Sequence, residues 1–304
     1  MKGIFMAEHT HPHTHVPTFD TPQKRLAGVK NVIAVASGKG GVGKSTVAVN
    51  LALALVKLGQ RVGLLDCDIY GPSQHIMLGL QDRTPNINAE QKMTPLEKFG
   101  LKMISFGFFV KAEEAVVWRG PMIGRVIQQF IDDVLWGDLD TLVVDLPPGT
   151  GDAQLTLTQL LPLTGAVIVS TPQDVALADA IKGVNMFHKV NVPILGIVEN
   201  MSFYKCTSCG HEAHIFSHLG AKHAAEKMGV PFLGELPLEE PTRTGGDQGK
   251  PIVVKEPDGE QAKRFVHIAE NVVQEMTKLE SKPATKFNIS LPNAPAAAPS
   301  GFTV

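Results

Sequence analysis

The stretch from Asn31 to Thr46 reads NVIAVASGKGGVGKST. A short, β-branched apolar run, Asn31 to Ser37, enters a glycine-rich loop, and Lys44 to Leu58 then shows helical periodicity. Val47, Leu51, Ala54, Leu55 and Leu58 fall on one face of that helix, and Gly59 supplies its stop. A strand, then Gly-x-x-x-x-Gly-Lys-Ser, then a helix is the Walker A arrangement. Glycines at Gly38, Gly40, Gly41 and Gly43, with Val42 between them, let successive backbone N–H groups face one concavity. The helix N-terminus adds partial positive charge to it. The pattern predicts that Lys44 reaches the β- and γ-phosphates of ATP, Ser45 ligates Mg2+ and Thr46 lies near the α-phosphate.

Outward from this loop, strands alternate with helices. Arg61 to Asp66 (RVGLLD) and Leu101 to Phe106 read as strands, and Pro121 to Trp136 as an amphipathic helix. Ile123, Val126, Ile127, Phe130, Ile131 and Val134 lie on the inner face of that helix, and Pro121 suits its first turn. Thr141 to Asp145 (TLVVD), Ala166 to Ser170 (AVIVS) and Ile194 to Val198 (ILGIV) are near-continuous apolar runs, as expected of strands covered by helices on both faces. Phe232 to Leu236 reads as a last core strand and Asp258 to Leu279 as a closing helix. The expected fold is α/β, a doubly wound, mainly parallel sheet flanked by helices, in one domain over 26–280.

The flanks differ in composition. Residues 1–25 carry Pro12, Pro17 and Pro22 with His9, His11, His13 and His15 at alternating positions. They are expected to be a disordered, His-containing tail rather than a metal-scavenging tract, since no Cys residue joins the cluster. Residues 281–304, rich in Pro and Ala, are expected to form a second tail. In the whole chain of 304 residues, 43% are hydrophobic and 19% charged, as in an ordinary globule. A net charge of -2 leaves no excess of Lys and Arg to neutralise nucleic-acid phosphates. No run approaches the roughly 18 apolar residues of a membrane helix, and no secretory signal is evident. A cytoplasmic protein with no nucleic-acid or membrane partner is expected.

Three further constellations carry chemistry. Asp145 ends TLVVD, where the C-terminal ends of core strands face the ligand crevice, and is placed as the Walker B carboxylate on Mg2+. Gly149 and Gly151 follow it in PPGTGD and give the loop freedom to respond to the γ-phosphate. Asp66 and Asp68 close the second strand as Asp-x-Asp, with Asp66 assisting Mg2+ or ordering the loop. The three cysteines, Cys67, Cys206 and Cys209, are too few for a disulfide framework. Cys67 reads as a small buried residue. Cys206 and Cys209 form a Cys-x-x-Cys pair, which supplies two thiolates where zinc or a [4Fe-4S] cluster wants four ligands. Either His211, His214 or His218 joins in, or two chains pair their motifs.

A second lysine inside the loop, Lys39, resembles the deviant Walker A ATPases, whose loop reads Lys-Gly-Gly-x-Gly-Lys-(Ser/Thr). The resemblance implies a homodimer in which Lys39 reaches the partner's nucleotide, much as an arginine finger does. It also implies that Asp68 lies near the attacking water and that Asn200 contacts adenine. The segments Leu65 to Ser73, Trp118 to Met122, Asp145 to Asp152 and Glu199 to Ser202, with the Cys pair, are similar to the Mrp/ApbC family over about residues 28–278. This family comprises iron–sulfur cluster carrier ATPases. It implies a labile [4Fe-4S] cluster on Cys206 and Cys209, bridging a homodimer. Its implied partners are apo iron–sulfur client proteins and a cluster-assembly scaffold. Many bacterial members carry an additional small N-terminal domain at the place of the His-containing tail here. The other readings are a positioning ATPase of the Min/Par kind, which leaves the Cys pair unexplained, and a dimer stapled by zinc.

Overall fold

A computed structural model of the chain describes residues 26–109, 120–206 and 208–281. The expected N-terminal tail, the C-terminal tail beyond Ser281, which instead closes the last helix, and the Trp118-Arg119 part of the family motif lie outside the described residues. In chain order the elements are β1 (Val29–Ala36), α1 (Lys44–Lys57), β2 (Val62–Asp66), α2 (Gln74–Met77), β3 (Asn86–Ile87), β4 (Met93–Thr94), β5 (Leu96–Lys98) and β6 (Leu101–Ser105). Next come α3 (Gly120–Asp132), β7 (Leu139–Asp145), α4 (Asp152–Leu160), β8 (Gly165–Ser170), α5 (Asp174–Lys189) and β9 (Ile194–Lys205). The chain continues through β10 (Glu212–Ala213), α6 (Gly220–Met228), β11 (Phe232–Leu238), α7 (Glu240–Asp247), α8 (Ile252–Lys255) and α9 (Glu260–Ser281).

The main sheet runs β10-β9-β8-β1-β7-β2-β6-β5, and β11 also pairs with β9. Every pairing within it is parallel except those of β5 with β6 and β10 with β9. The expected doubly wound sheet is therefore the observed one. The continuous apolar runs have the predicted cause. Along β1, Ile33 and Val35 enter one core, whereas Val32, Ala34 and Ala36 enter the other. The first core is closed by α1, α8 and α9, including Phe265, Ile268 and Val272, and the second by α3 to α6, including Ile127, Phe130 and Phe187. Side chains alternate across a strand, so a sheet covered on both faces needs apolar residues at every position.

Three sequence expectations need correction. First, α1 is buried at every position from Val47 to Leu55, because α9 and the sheet enclose it together; Leu58, expected inward, is 38% exposed beyond its end. Gly59 is the stop, at φ +84°, with its N–H on the Val56 carbonyl. Second, α3 ends at Asp132 rather than at Trp136. The chain turns there so that Met93 N–H reaches the Asp133 carbonyl and Leu135 N–H the Met93 carbonyl, and Trp136 packs under the sheet beside Gly63. Third, β9 does not stop at Val198 but runs on to Lys205. Glu199, polar and so read as a strand end, is fully buried and accepts from Leu219 and Ala221 N–H at the start of α6, at 3.1 and 2.7 Å. Among the described residues no helix is long and apolar enough to cross a membrane.

Candidate functional site

The glycine loop leaves β1 at the centre of the sheet. Gly41 and Gly43 adopt φ +81° and +80°, which other residues adopt only with strain. A Cβ on Gly38 would collide with the Asp179 carbonyl of α5, and one on Gly43 with the Asn200 amide. The loop is thus clamped between α5 and β9. Ser37 Oγ donates to the Lys39 carbonyl at 2.9 Å and Asn200 Nδ2 to the Val42 carbonyl at 2.8 Å. No side chain caps α1, so the orphan N–H groups of its first turn are left for an anion.

Behind the loop lies a buried charge cluster. The β2–β7 register sets Asp66 beside Asp145 at the ends of adjacent strands. Lys44, only 5% exposed, places Nζ 2.5 Å from Asp145 Oδ1, 3.4 Å from Asp68 Oδ2 and 3.2 Å from Ser45 Oγ. Burial pulls the Lys44 ammonium down, but Asp145 and then Asp68 outweigh it, so its pKa is raised. Burial pushes Asp68 up against the opposing pull of Lys44. The Asp66 carboxyl is pushed up to about 7, first by burial and then by the charge of Asp145. Three carboxylates around one ammonium leave an excess of negative charge. The Ser45 hydroxyl and the Asp145 carboxylate, both close to Lys44 Nζ, are oxygen donors of the kind that suits a hard divalent cation such as Mg2+.

The carboxylates differ in their employment. Asp66 accepts from Asp68 N–H at 3.2 Å, from Ser73 and Gln74 N–H both at 3.1 Å, and from Ser105 Oγ at 2.7 Å. It pins the loop of residues 67–74. Asp68 accepts weakly from Tyr70 and Gly71 N–H, both at 3.3 Å, and turns its other oxygen to Lys44. Gln74, which sequence reasoning missed, is fully buried and donates to the Ser45 carbonyl at 2.9 Å and to Asp145 Oδ2 at 2.8 Å. No spacing rule marks it, because polar burial is set by the return of the loop under the sheet. Cys67 is buried as expected, its thiol held well above the ordinary range by burial and then by Asp66 and Asp145.

Beside the loop a cleft of about 450 Å³ is lined by Gly43, Thr46, Ile76, Asn200, Pro237 and Arg243, among others. Its far wall, from β11 and α7, was not foreseen from sequence. The Asn200 Nδ2 is held on the Val42 carbonyl by one of its two hydrogens, and the amide oxygen can accept from a ligand. Lys39 is half-buried, and its ammonium has no hydrogen-bond or ion-pair partner among the described residues.

From Asn200 the strand continues to the cysteines. Met201 breaks its regularity at φ +57°, and pairing with β11 jumps from Leu236↔Asn200 to Leu238↔Tyr204, a bulge beside the phosphate loop. Beyond it, β9 and β10 form a short antiparallel arm with the Cys-x-x-Cys at its turn. Cys206 N–H donates to the His211 carbonyl at 2.8 Å and Gly210 N–H to the Cys206 carbonyl at 2.9 Å. Cys206 is half-buried and Cys209 exposed. Backbone N–H groups of Cys209 and Ser208 bond the Cys206 sulfur and lower its pKa, favouring the thiolate. The His214 and His218 rings lie 3.9 Å apart between centroids, tilted 41° to each other. Among the described residues no group of three or more His, Cys, Asp or Glu could hold a metal ion. One chain therefore offers two thiolates on an exposed arm.

With this geometry in place, comparison with known proteins is informative. A ParA-type family model described as NUBPL iron-transfer P-loop NTPase matches residues 28–273. The iron–sulfur cluster transfer protein NUBPL of Dictyostelium discoideum is 52% identical over 83% of this chain and 78% of its own length. The iron–sulfur cluster carrier protein of Escherichia coli (strain K12) is 50% identical over 84% of this chain and 69% of its own. Among solved structures, a nucleotide-binding protein from Archaeoglobus fulgidus in complex with ADP superposes with a TM-score of 0.68 at 37% identity, covering 79% of this chain and 94% of that one. The Pyrococcus furiosus cell division ATPase MinD gives 0.59 at 25% identity, covering 80% and 98%. A Walker A loop under a parallel sheet, and a family match running from the first strand to the last helix, agree: the chain belongs to the NUBPL iron-transfer P-loop NTPases.

Proposed function

We propose that this protein is an ATP-hydrolysing carrier that binds a [4Fe-4S] cluster between two copies of the chain and passes it to apo-proteins. The observation that carries this reading is β9, which bears the nucleotide-side Asn200 and ends at Lys205, directly before Cys206, the first cysteine of the exposed pair. The names of its relatives, cluster transfer and cluster carrier proteins, point the same way.

In this reading the N–H groups of Gly38 to Thr46 and the Lys44 ammonium bind the phosphates, and the Asn200 amide oxygen accepts from the exocyclic amine of adenine. Ser45 and Asp145 hold Mg2+, which neutralises charge on the phosphates and so supplies electrostatic stabilisation. Asp68, less tightly bonded than Asp66, orients the attacking water. Asp66 orders the loop rather than touching the cation, since its oxygens already serve four donors. Lys39 reaches the nucleotide of the second copy. Phosphoryl transfer demands positioning and charge stabilisation rather than covalent help, and each of these groups supplies one or the other.

The cluster is cargo. Two Cys206/Cys209 pairs across a twofold axis supply four thiolates, the set a [4Fe-4S] cluster uses. Exposure of the arm suits release as much as capture. Anaerobic reconstitution with iron and sulfide tests this: about four iron per dimer with a broad absorption in the visible range is expected. Stoichiometric zinc that iron cannot displace would instead make the pair a structural staple. A folded dimer that takes up neither metal would return the chain to the positioning ATPases.

A further inference from the structure

Gln74 opens α2 and is polar yet wholly enclosed. Its Nε2 donates to the Ser45 carbonyl and to Asp145 Oδ2. Both of these groups are acceptors, so the orientation of the amide is settled: nitrogen faces them and Oε1 does not. That Oε1 is buried with no hydrogen-bond partner. A buried carbonyl oxygen without a donor is costly, and folded proteins rarely keep one unless a bound water or ligand completes it. Meanwhile Lys44 holds the other oxygen of Asp145, so the carboxylate is gripped from both sides. Loop anchoring does not require this side chain, since the Gln74 backbone N–H performs it on Asp66.

We propose that Gln74 is the positioning residue of the magnesium side: its N–H2 group fixes Asp145 relative to Ser45, and its Oε1 accepts from a water bound beside them. This rests on the reading of Ser45 and Asp145 as the groups that hold Mg2+. A side chain that only filled core would be served as well by an apolar residue, and would leave no amide spanning the two groups. Outer-shell partners of this kind fix the orientation of ligating carboxylates and thereby the affinity for the ion.

The test is Mg2+ titration of the binding of a fluorescent ATP analogue, which needs no turnover. In Gln74→Met, close in volume but without the amide, the half-saturating Mg2+ concentration rises roughly tenfold while affinity in EDTA stays within about twofold. An unchanged Mg2+ midpoint, or equal weakening with and without Mg2+, overturns the proposal. In an Asp145→Asn background the Gln74→Met effect disappears if Gln74 acts through Asp145; full persistence there also overturns it. Indifference of the unmutated protein to Mg2+ would strike the magnesium reading itself, a result distinct from failure of Gln74. Should Gln74→Met not fold, Gln74→Asn, with the amide on a shorter stem, is expected to shift the midpoint in the same direction, and no shift counts against the proposal.

Discussion

The phosphate loop and the cysteine arm are linked by β9, whose Asn200 holds the loop and whose end leads to Cys206, but they are built on opposite principles. Around Lys44 nearly every group is buried and multiply bonded, and the charges sit in a low dielectric where each one fixes the others. The cysteine turn is held by two backbone hydrogen bonds, and its second thiol is exposed. A site that must meet the same nucleotide at every cycle gains from a preorganised cradle. In the proposed carrier, a site that surrenders its cargo would gain from ligands that are few and exposed. Between Asn200 and the cysteines the strand is broken at Met201, where the bulge abuts the loop.

The sharpest way to break this contrast is to remove the cysteines. Cys206→Ser and Cys209→Ser are expected to abolish reconstituted iron while leaving ATP affinity unchanged, measured by iron assay and nucleotide titration on the same sample. Loss of nucleotide binding in either variant would mean that the arm is part of the cradle. Next in size is Lys39→Ala. A lysine acting in trans predicts a fall in kcat of about 10³-fold with little change in nucleotide affinity, by analogy with arginine fingers. Undiminished turnover would remove the argument for a dimeric phosphate site.

Lys44→Met sharpens the contrast from the stability side. It leaves Asp145, Asp68 and Asp66 facing one another without a cation, and losing one partner of a buried ionic cluster costs about 3 kcal/mol. Urea unfolding without nucleotide should show that loss; an equally stable variant would mean that the carboxylates are already neutralised by protons. A gentler probe is pH. The Asp66 carboxyl stands at about 7 in the fold against an ordinary value near 3.8, so the folded chain holds the extra proton in between. Its contribution to stability is complete below the ordinary value and is lost as pH rises through about 7. Relative to Asp66→Asn, the unmutated protein should therefore lose stability as pH rises from about 4 to about 7. The opposite slope would show that Lys44 outweighs burial and Asp145.

The two regions also differ in how legible they were. The loop, Asp145 and the alternation of strands and helices could be read directly, because short-range geometry dictates their residues. A phosphate cradle needs glycines at fixed spacing, and a strand covered on both faces needs unbroken apolar side chains. Gln74 and the α7 wall of the cleft could not, since nothing local distinguishes a buried glutamine from an exposed one before the loop folds back. The extension of β9 was hidden for a related reason. Glu199 and Asn200 read as exposed strand-end residues, yet tertiary partners on α6 and the phosphate loop absorb them. The length of that strand, invisible locally, is what joins nucleotide to cysteines.

The smallest expected effect separates the regions by a single methyl group. Gly43 and Gly210 share the left-handed backbone, at φ +80° and +73°. A Cβ on Gly43 would strike the Asn200 amide, whereas one on Gly210 meets nothing within 4 Å. Gly210→Ala should therefore cost only the backbone term, about 1 kcal/mol. Gly210→Asn should recover most of it, because asparagine tolerates this conformation. Gly43→Ala adds displacement of Asn200 to the same strain and should weaken nucleotide binding, and Gly43→Asn should not restore it, since the collision is with Cβ itself. Thermal unfolding and nucleotide titration of the four variants decide the matter. Rescue by asparagine at both positions would show that the loop yields as freely as the arm, and the contrast between a rigid cradle and a loose one would be lost.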